Sequence, residues 1–349
     1  MDAPRGRGTG LNPANRFEEI AYDWDESADP AERPAPKTRF LRDATRTILV
    51  RNDSPDVPFS YSLNPYRGCE HGCPYCFARP YHEYLGLSAG LDFETMIFVK
   101  EDAPRLLARE LAKPSWEPQV VAMSGVTDVY QPVERALKLT RACLEVFADC
   151  RNPVALITKN AVVERDLDVL AELARWGAVR VLFSITTLDP ELARRLEPRA
   201  ATPARRLAAM RALSAAGVPT GIMAAPMIPG LNDHELPRLL EAAADAGAET
   251  AGYTVLGLPY AVKDVFLDWL ARNYPDRRDK VVSQTRSLRD GNLNDPRIAA
   301  RMRGEGVFAD HLESLFRVSC RRWGLNEKRR ELSAKDFRRP LTGGQLRLI

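Results

Sequence analysis

The 349-residue sequence is short of the residue types that build covalent scaffolds or membrane anchors. It carries six cysteines and four histidines, too few for a disulfide framework. No run reaches the roughly 18 consecutive apolar residues of a membrane-spanning helix. Met1-Asp2-Ala3-Pro4-Arg5 leads into nothing resembling the apolar core of a signal peptide. A cytoplasmic protein with no membrane partner is the expectation. A dominant charge is also missing, since 50 basic residues stand against 47 acidic ones for a formal net charge of +3. With 45% hydrophobic and 28% charged residues, the composition excludes a wholly disordered or fibrous chain.

The near-neutral total hides an asymmetry. Residues 262–349 hold 20 Lys and Arg against 12 Asp and Glu, which leaves 30 against 35 for residues 1–261. The basic end is compatible with an anionic partner, and a solvated basic surface is the plain alternative.

Residues 1–50 read as an N-terminal arm, flexible over 1–35, where Pro, Gly, Arg and acidic residues show little apolar periodicity. Phe17, Tyr22 and Trp24 could dock locally. From residue 61 onward short apolar runs alternate with amphipathic stretches. Strands are expected at 61–67, 120–123, 154–158, 179–186, 221–227 and 251–256. Helices are expected at 104–112, 133–149, 162–176, 203–216 and 234–246. Within the second helix Ala136, Thr140, Cys143 and Phe147 recur at spacings of three and four and share a face. Such alternation implies an α/β fold with a parallel sheet and right-handed crossovers. Six strand units fall short of the eight in a complete barrel, so a partial (β/α)6 TIM-type barrel is expected over 51–261. Residues 262–349 read as a basic C-terminal extension.

Half of the cysteines fall in one segment, Gly68-Cys69-Glu70-His71-Gly72-Cys73-Pro74-Tyr75-Cys76, in a C-x3-C-x2-C spacing. Gly68 and Gly72 let the backbone wrap tightly and Pro74 stiffens the last gap. Thiolates are the usual ligands of iron–sulfur clusters, and a four-iron cluster normally takes four of them. Three local ligands leave one iron open to another molecule. A structural zinc site is the competing reading, with His71 or His82 as fourth ligand.

The spacing, the aromatic Tyr75 before the last cysteine and the loop's position after the first strand resemble the radical S-adenosylmethionine (SAM) superfamily. The resemblance implies a 4Fe-4S cluster on Cys69, Cys73 and Cys76, with SAM chelating the open iron. It also implies reductive cleavage of SAM to a 5′-deoxyadenosyl radical that abstracts hydrogen, with an electron donor such as flavodoxin or ferredoxin. Segments 124–134, 158–160, 184–187, 197–199 and 224–230 are similar to the spore photoproduct lyase-like (DNA repair photolyase-like) branch. On that resemblance Ser124, Gly125 and Thr127 face the methionine amino group, and Lys159 and Arg199 meet its carboxylate. Ser184 suits ribose or carboxylate, while Tyr75 and Ile228 suit adenine. The plain alternatives are a helix cap for Asp128 and a surface ion pair for Arg199.

One departure stands out. In spore photoproduct lyases a cysteine near the 124–127 turn donates a hydrogen atom, and here Gly125 stands at that place. Cys320 is the extension's single cysteine and a candidate hydrogen donor, with burial in a core as the alternative. No second cysteine cluster occurs, which argues against enzymes with auxiliary clusters, and about 90 residues after the barrel leave little room for a cobalamin domain. The leading expectation is a lyase-like radical SAM enzyme acting on an unknown substrate. Nucleic acid is the candidate, bound through the basic extension and its aromatics Trp269, Tyr274, Phe316 and Trp323. Radical modification of a protein or peptide is the second reading, and a zinc-stabilised nucleic-acid-binding module without catalysis is the third.

Overall fold

Six short strands, β3 (Tyr61–Leu63), β6 (Val121–Met123), β7 (Val154–Thr158), β8 (Val179–Ser184), β9 (Thr220–Met227) and β10 (Thr250–Val255), lie side by side in chain order. Every neighbouring pair among them is parallel. They are the six units expected from the apolar runs. The computed structural model describes residues 3–18, 36–327 and 330–340. Among these, β10 ends the sheet on one side, and β2 (Leu49–Arg51) closes the other by pairing antiparallel with β3. The result is an open α/β partial barrel.

Its strands alternate as a sheet covered on one face should. In β7, Val154, Leu156 and Thr158 are buried while Ala155 and Ile157 between them are half-buried. The buried set packs on the helices Leu139–Cys150 and Leu167–Arg175, through Cys143, Leu144, Phe147, Leu170 and Leu173. Each buried Leu or Phe among them contributes about 1.5–3 kcal/mol through burial. The helices Pro203–Ala215 and Leu236–Asp245 form the next two crossovers. Thr202 caps the first by accepting from the Arg205 amide.

Three local expectations differ. The run 61–67 is two strands, because Pro65 has no amide to continue the ladder. β4 (Tyr66–Arg67) instead pairs with β5 (Met96–Val99), which also pairs with β1 (Arg39–Arg42) in a separate small sheet. The helix expected at 133–149 is broken at Lys138, whose φ of 55° divides Glu134–Leu137 from Leu139–Cys150. The helix expected at 162–176 starts with a 3-10 turn, Ala161–Asp166, on an Asn160 cap.

The N-terminal stretch is not a loose arm where it is described. β1 and β2 belong to the two sheets, and residues 3–18 are pinned by side chains. Gly8 N and Arg7 Nη1 donate to Glu94 at 3.0 and 2.8 Å. Asn12 and Asp92 exchange two hydrogen bonds, and Asn15 Nδ2 donates to the carbonyls of Glu83 and Leu87. Phe17 stacks on Tyr84. Tyr22 and Trp24 lie outside the described residues.

The extension packs back onto the barrel. Its helix Val307–Arg322 buries Leu312 and Cys320 in the main core. Asn326 bonds the Ala251 backbone twice, covering the free edge of β10. Residues 333–339 then cross the loops that precede the strands: Ser333 N donates to Gly177 O, Arg338 N to Cys150 O, and Arg339 to Leu111 O and Trp116 O.

Candidate active site

Parallel strands gather their C-terminal tips at one mouth, where folds of this type assemble their chemistry. The cysteine loop follows β4 at that mouth. Gly68 and Gly72 take φ of 80° and 70°, a conformation that glycine adopts without a steric penalty. A side chain on Gly72 would meet Glu94 Oε2 at 2.8 Å. Cys69 and Cys73 are buried and Cys76 is half-buried. Burial pushes all three thiols up, Cys73 to about 12. A bound metal reverses that preference, because it holds the thiolate outright.

The loop is fixed from three sides. Cys69 N donates to Phe93 O at 2.9 Å. Arg79 Nε donates to Cys73 O at 2.9 Å, and its Nη2 pairs with Glu94, both side chains being fully buried. Gln131 brackets Cys69, accepting from Glu70 N at 3.0 Å and donating to Gly68 O at 3.2 Å. Glu70 takes the Val133 amide on one oxygen and Thr38 and Arg199 on the other.

Asp128, in the turn after β6, is not the helix cap that was its plain alternative, since the next helix begins at Glu134 with Val133 before it. Asp128 accepts from Tyr130 N, from Thr158 Oγ1 at 2.8 Å and from Lys159 N at 2.6 Å. Its Oδ2 lies 3.4 Å from His71 Nδ1. Burial raises its carboxyl, yet His71 and the two backbone amides outweigh that and leave it below the ordinary value. One side chain thus ties the tips of β6 and β7 to the cysteine loop.

Lys159 stands at the centre of the mouth. Its ammonium donates to Ser184 Oγ at 2.7 Å and to Glu197 Oε1 at 2.9 Å, 5.5 Å from the centre of the Tyr75 ring. Glu197 follows the helix Pro190–Leu196 and is buried. Its Oε1 also accepts from the Tyr75 hydroxyl and from Thr186, and its Oε2 from Arg206. Burial acts to raise this carboxyl, but Arg206 and Lys159 prevail and hold it below the usual carboxylate range.

The sequence-derived candidates fall as follows. Tyr75, Ser184 and Lys159 share the Glu197 network, and Ile228 packs in one cluster with Cys73 and Tyr75. Ser124, Gly125 and Thr127 form the turn after β6, with φ of 151° at Ser124 and 107° at Gly125. Backbone strain of this kind is typical of ligand-holding turns. Arg199 lies over the cysteine loop in an ion pair with the buried Glu70 at 3.0 Å. Cys320 is buried near Asn326, at the strand-starting end of β10. The structure brings it to no other candidate.

Glu197 was missed as a site residue, although its segment Glu197-Pro198-Arg199 was singled out. Only its acid character could have flagged it, since its partners come from four separate stretches of chain.

Buried polar atoms without a partner show where a ligand fits. Among the described residues Asn64 Oδ1 and Thr127 Oγ1 are such atoms, after the end of β3 and in the turn after β6. Three thiols on one glycine-bent loop beside unspent polar groups suit a cluster with a polar ligand next to it. Zinc fits less well. His82 Nε2 is bonded to Met96 O at 2.9 Å and His71 faces Asp128. No three Cys, His, Asp or Glu side chains among the described residues are grouped closely enough to hold one ion.

A family model described as the radical SAM superfamily matches residues 63–243. An uncharacterized protein of Mycobacterium bovis is 41% identical over 236 residues, 66% of this chain and 68% of its own length. Another, of Methanocaldococcus jannaschii, is 27% identical over 225 residues, 64% of this chain and 80% of its own. Among solved structures, spore photoproduct lyase shares the fold at a TM-score of 0.59 and 19% identity, over 82% of this chain and 80% of that one. A form of that lyase with bound AdoMet and dinucleoside spore photoproduct is equally similar.

Proposed function

Because the chain belongs to the radical SAM superfamily, we propose that Cys69, Cys73 and Cys76 hold a 4Fe-4S cluster and that the strand tips bind SAM beside it. When bound, the pair supplies one-electron cleavage of the SAM sulfonium and hydrogen-atom abstraction from substrate, with electrons from a donor such as flavodoxin or ferredoxin. The observation that carries this reading is the meeting, at one mouth, of the cysteine loop with the orphaned atoms of Asn64 and Thr127.

This chain's residues divide the remaining work. The strained turn of Ser124, Gly125 and Thr127 offers hydroxyl and backbone groups to the methionine amino group. Lys159, backed by Glu197 and Arg206, offers the cation for its carboxylate. Ser184, on which Lys159 already donates, takes the ribose. Tyr75 and Ile228 supply the apolar wall for adenine. Arg199 stays with Glu70 and steadies the loop.

The proposed substrate is a nucleic acid, in a lyase-like reaction. Support comes from the mouth and not from the basic tail, whose described residues 333–339 cross the opposite end of the barrel. Trp269 is likewise buried, with its indole donating to Arg195 O. Near the cysteine loop, however, Phe17, Tyr81, Tyr84 and Tyr260 are 54–67% exposed. The Arg16 guanidinium stacks over Phe17 and Tyr260. Exposed rings interleaved with a cation suit unstacked bases.

Anaerobic reconstitution with iron and sulfide, reduction and addition of SAM should give a brown protein that forms 5′-deoxyadenosine. Cys69→Ala, Cys73→Ala and Cys76→Ala should each lose the colour. A folded brown protein that yields no 5′-deoxyadenosine refutes the reading. Retention of an oligonucleotide that weakens steeply with salt and is reduced in Tyr84→Ala supports the substrate; binding to no nucleic acid at low salt overturns it.

A further inference from the structure

One buried carboxylate at the mouth joins the cysteine loop to the cation beside it. Glu197 accepts four hydrogen bonds: from Tyr75, Thr186 and Lys159 on Oε1 and from Arg206 on Oε2. Arg206 is itself buried and spends its other donors on the carbonyls of Ala201 and Ser184, each at 2.8 Å. A buried carboxylate between two cations is electrostatically satisfied, and an apolar core could replace such a group if stability were its whole purpose.

Two of the four partners belong to the site. Tyr75 lies between Cys73 and Cys76 in the chain, so its bond to Glu197 seats the second half of the cysteine loop against β7 and β8. Lys159 carries the ammonium at the mouth. Two opposite charges thus meet on the residue that packs beside Cys73: Glu197 holds the Tyr75 hydroxyl, and the Lys159 ammonium stands 5.5 Å from the centre of its ring. Net charge close to the cysteine sulfurs is one of the quantities that set a cluster's potential.

We infer that Glu197 is the positioning residue of this site, which seats Tyr75 and Lys159 and, with Lys159, sets the reduction potential of the cluster on the loop. The inference rests on the reading that the loop holds a four-iron cluster. The step concerned is one-electron reduction of the oxidised cluster, with dithionite as reductant, and Glu197 neither gains nor loses a proton in it.

The test is a redox titration of reconstituted protein before SAM is added, followed by electron paramagnetic resonance. Glu197→Gln removes the negative charge and should move the midpoint positive, by roughly tenfold in the one-electron equilibrium, about 59 mV. Lys159→Gln removes the less buried of the facing cations and should move it negative. Glu197→Asp keeps the charge and should restore the wild-type midpoint while raising the KM for SAM. If Glu197→Gln fails to fold, the Lys159→Gln shift decides. Midpoints unchanged in every variant that takes up a cluster, or shifts of one sign in both, overturn the inference. A wild-type protein that takes up no cluster refutes the cofactor reading instead.

Discussion

Arg79 and Glu94 form a fully buried ion pair at 2.5 Å directly behind the cysteine loop. Arg79 reaches from the pair to the carbonyls of Cys73, Ala89 and Gly90, and Glu94 reaches to the Gly8 amide. The loop, the N-terminal segment and the chain before β5 therefore share one anchor.

Removing one member of this pair leaves the other charged and without a counterion in the interior. Arg79→Met or Glu94→Gln should cost about 3–5 kcal/mol, read as a lowered midpoint in urea. The double substitution should cost less than the sum of the two. Additive losses would show that the pair is not coupled.

Gly8 is required by contact. A side chain there would stand 1.6 Å from the Gly72 carbonyl oxygen, and one on Gly90 would stand 2.0 Å from Leu11 O. Gly8→Ala and Gly90→Ala should each detach residues 3–18. Hydrogen exchange measures this directly, as a loss of protection at the Gly8 amide. Protection equal to wild type would disprove the docking.

His82 makes stability depend on pH. Burial lowers it to about 4 from an ordinary 6.5, with the Met96 carbonyl acting in the opposite sense. Between those values the unfolded chain binds the extra proton, so stability is full above pH 6.5 and falls as pH drops towards 4. The loss is on the order of 3 kcal/mol at about 1.4 kcal/mol per unit. His82→Gln should flatten this part of the curve of urea midpoint against pH, and an unaltered slope would exclude His82 as its source.

Gly125 faces open space, with nothing within 4 Å of where a side chain would begin. Gly125→Cys should add a thiol that a water-soluble reagent modifies faster than any of the native six. Its φ of 107° should exact about 1–3 kcal/mol of stability. A rate no greater than that of Cys76 would mean that the turn is closed.

Much of the architecture was legible because it depends on local pattern. The six strands are apolar runs bounded by breakers, and the cysteine loop is a spacing with its own glycines. The failures were contacts between distant stretches. Nothing near Lys138 announces its positive φ, since Glu134 fixes that bend by accepting from Thr140 N and from Arg165. Glu197 looks like any helix-end acid until Lys159, Arg206 and Tyr75 meet around it. The basic extension looked like a route for a substrate, whereas tertiary packing carries its described tail to the far end of the barrel.

That tail has a bearing on how the chain is made. Arg339 reaches back to the Trp116 carbonyl, 223 residues earlier, and Asn326 seals the edge of β10. During synthesis the barrel's strands emerge in order and can pair as they appear, but the loops that precede β6, β7 and β8 stay unclasped until the tail has left the ribosome. A nascent chain halted before residue 326 exposes both those loops and a bare sheet edge, a ready template for association with another chain.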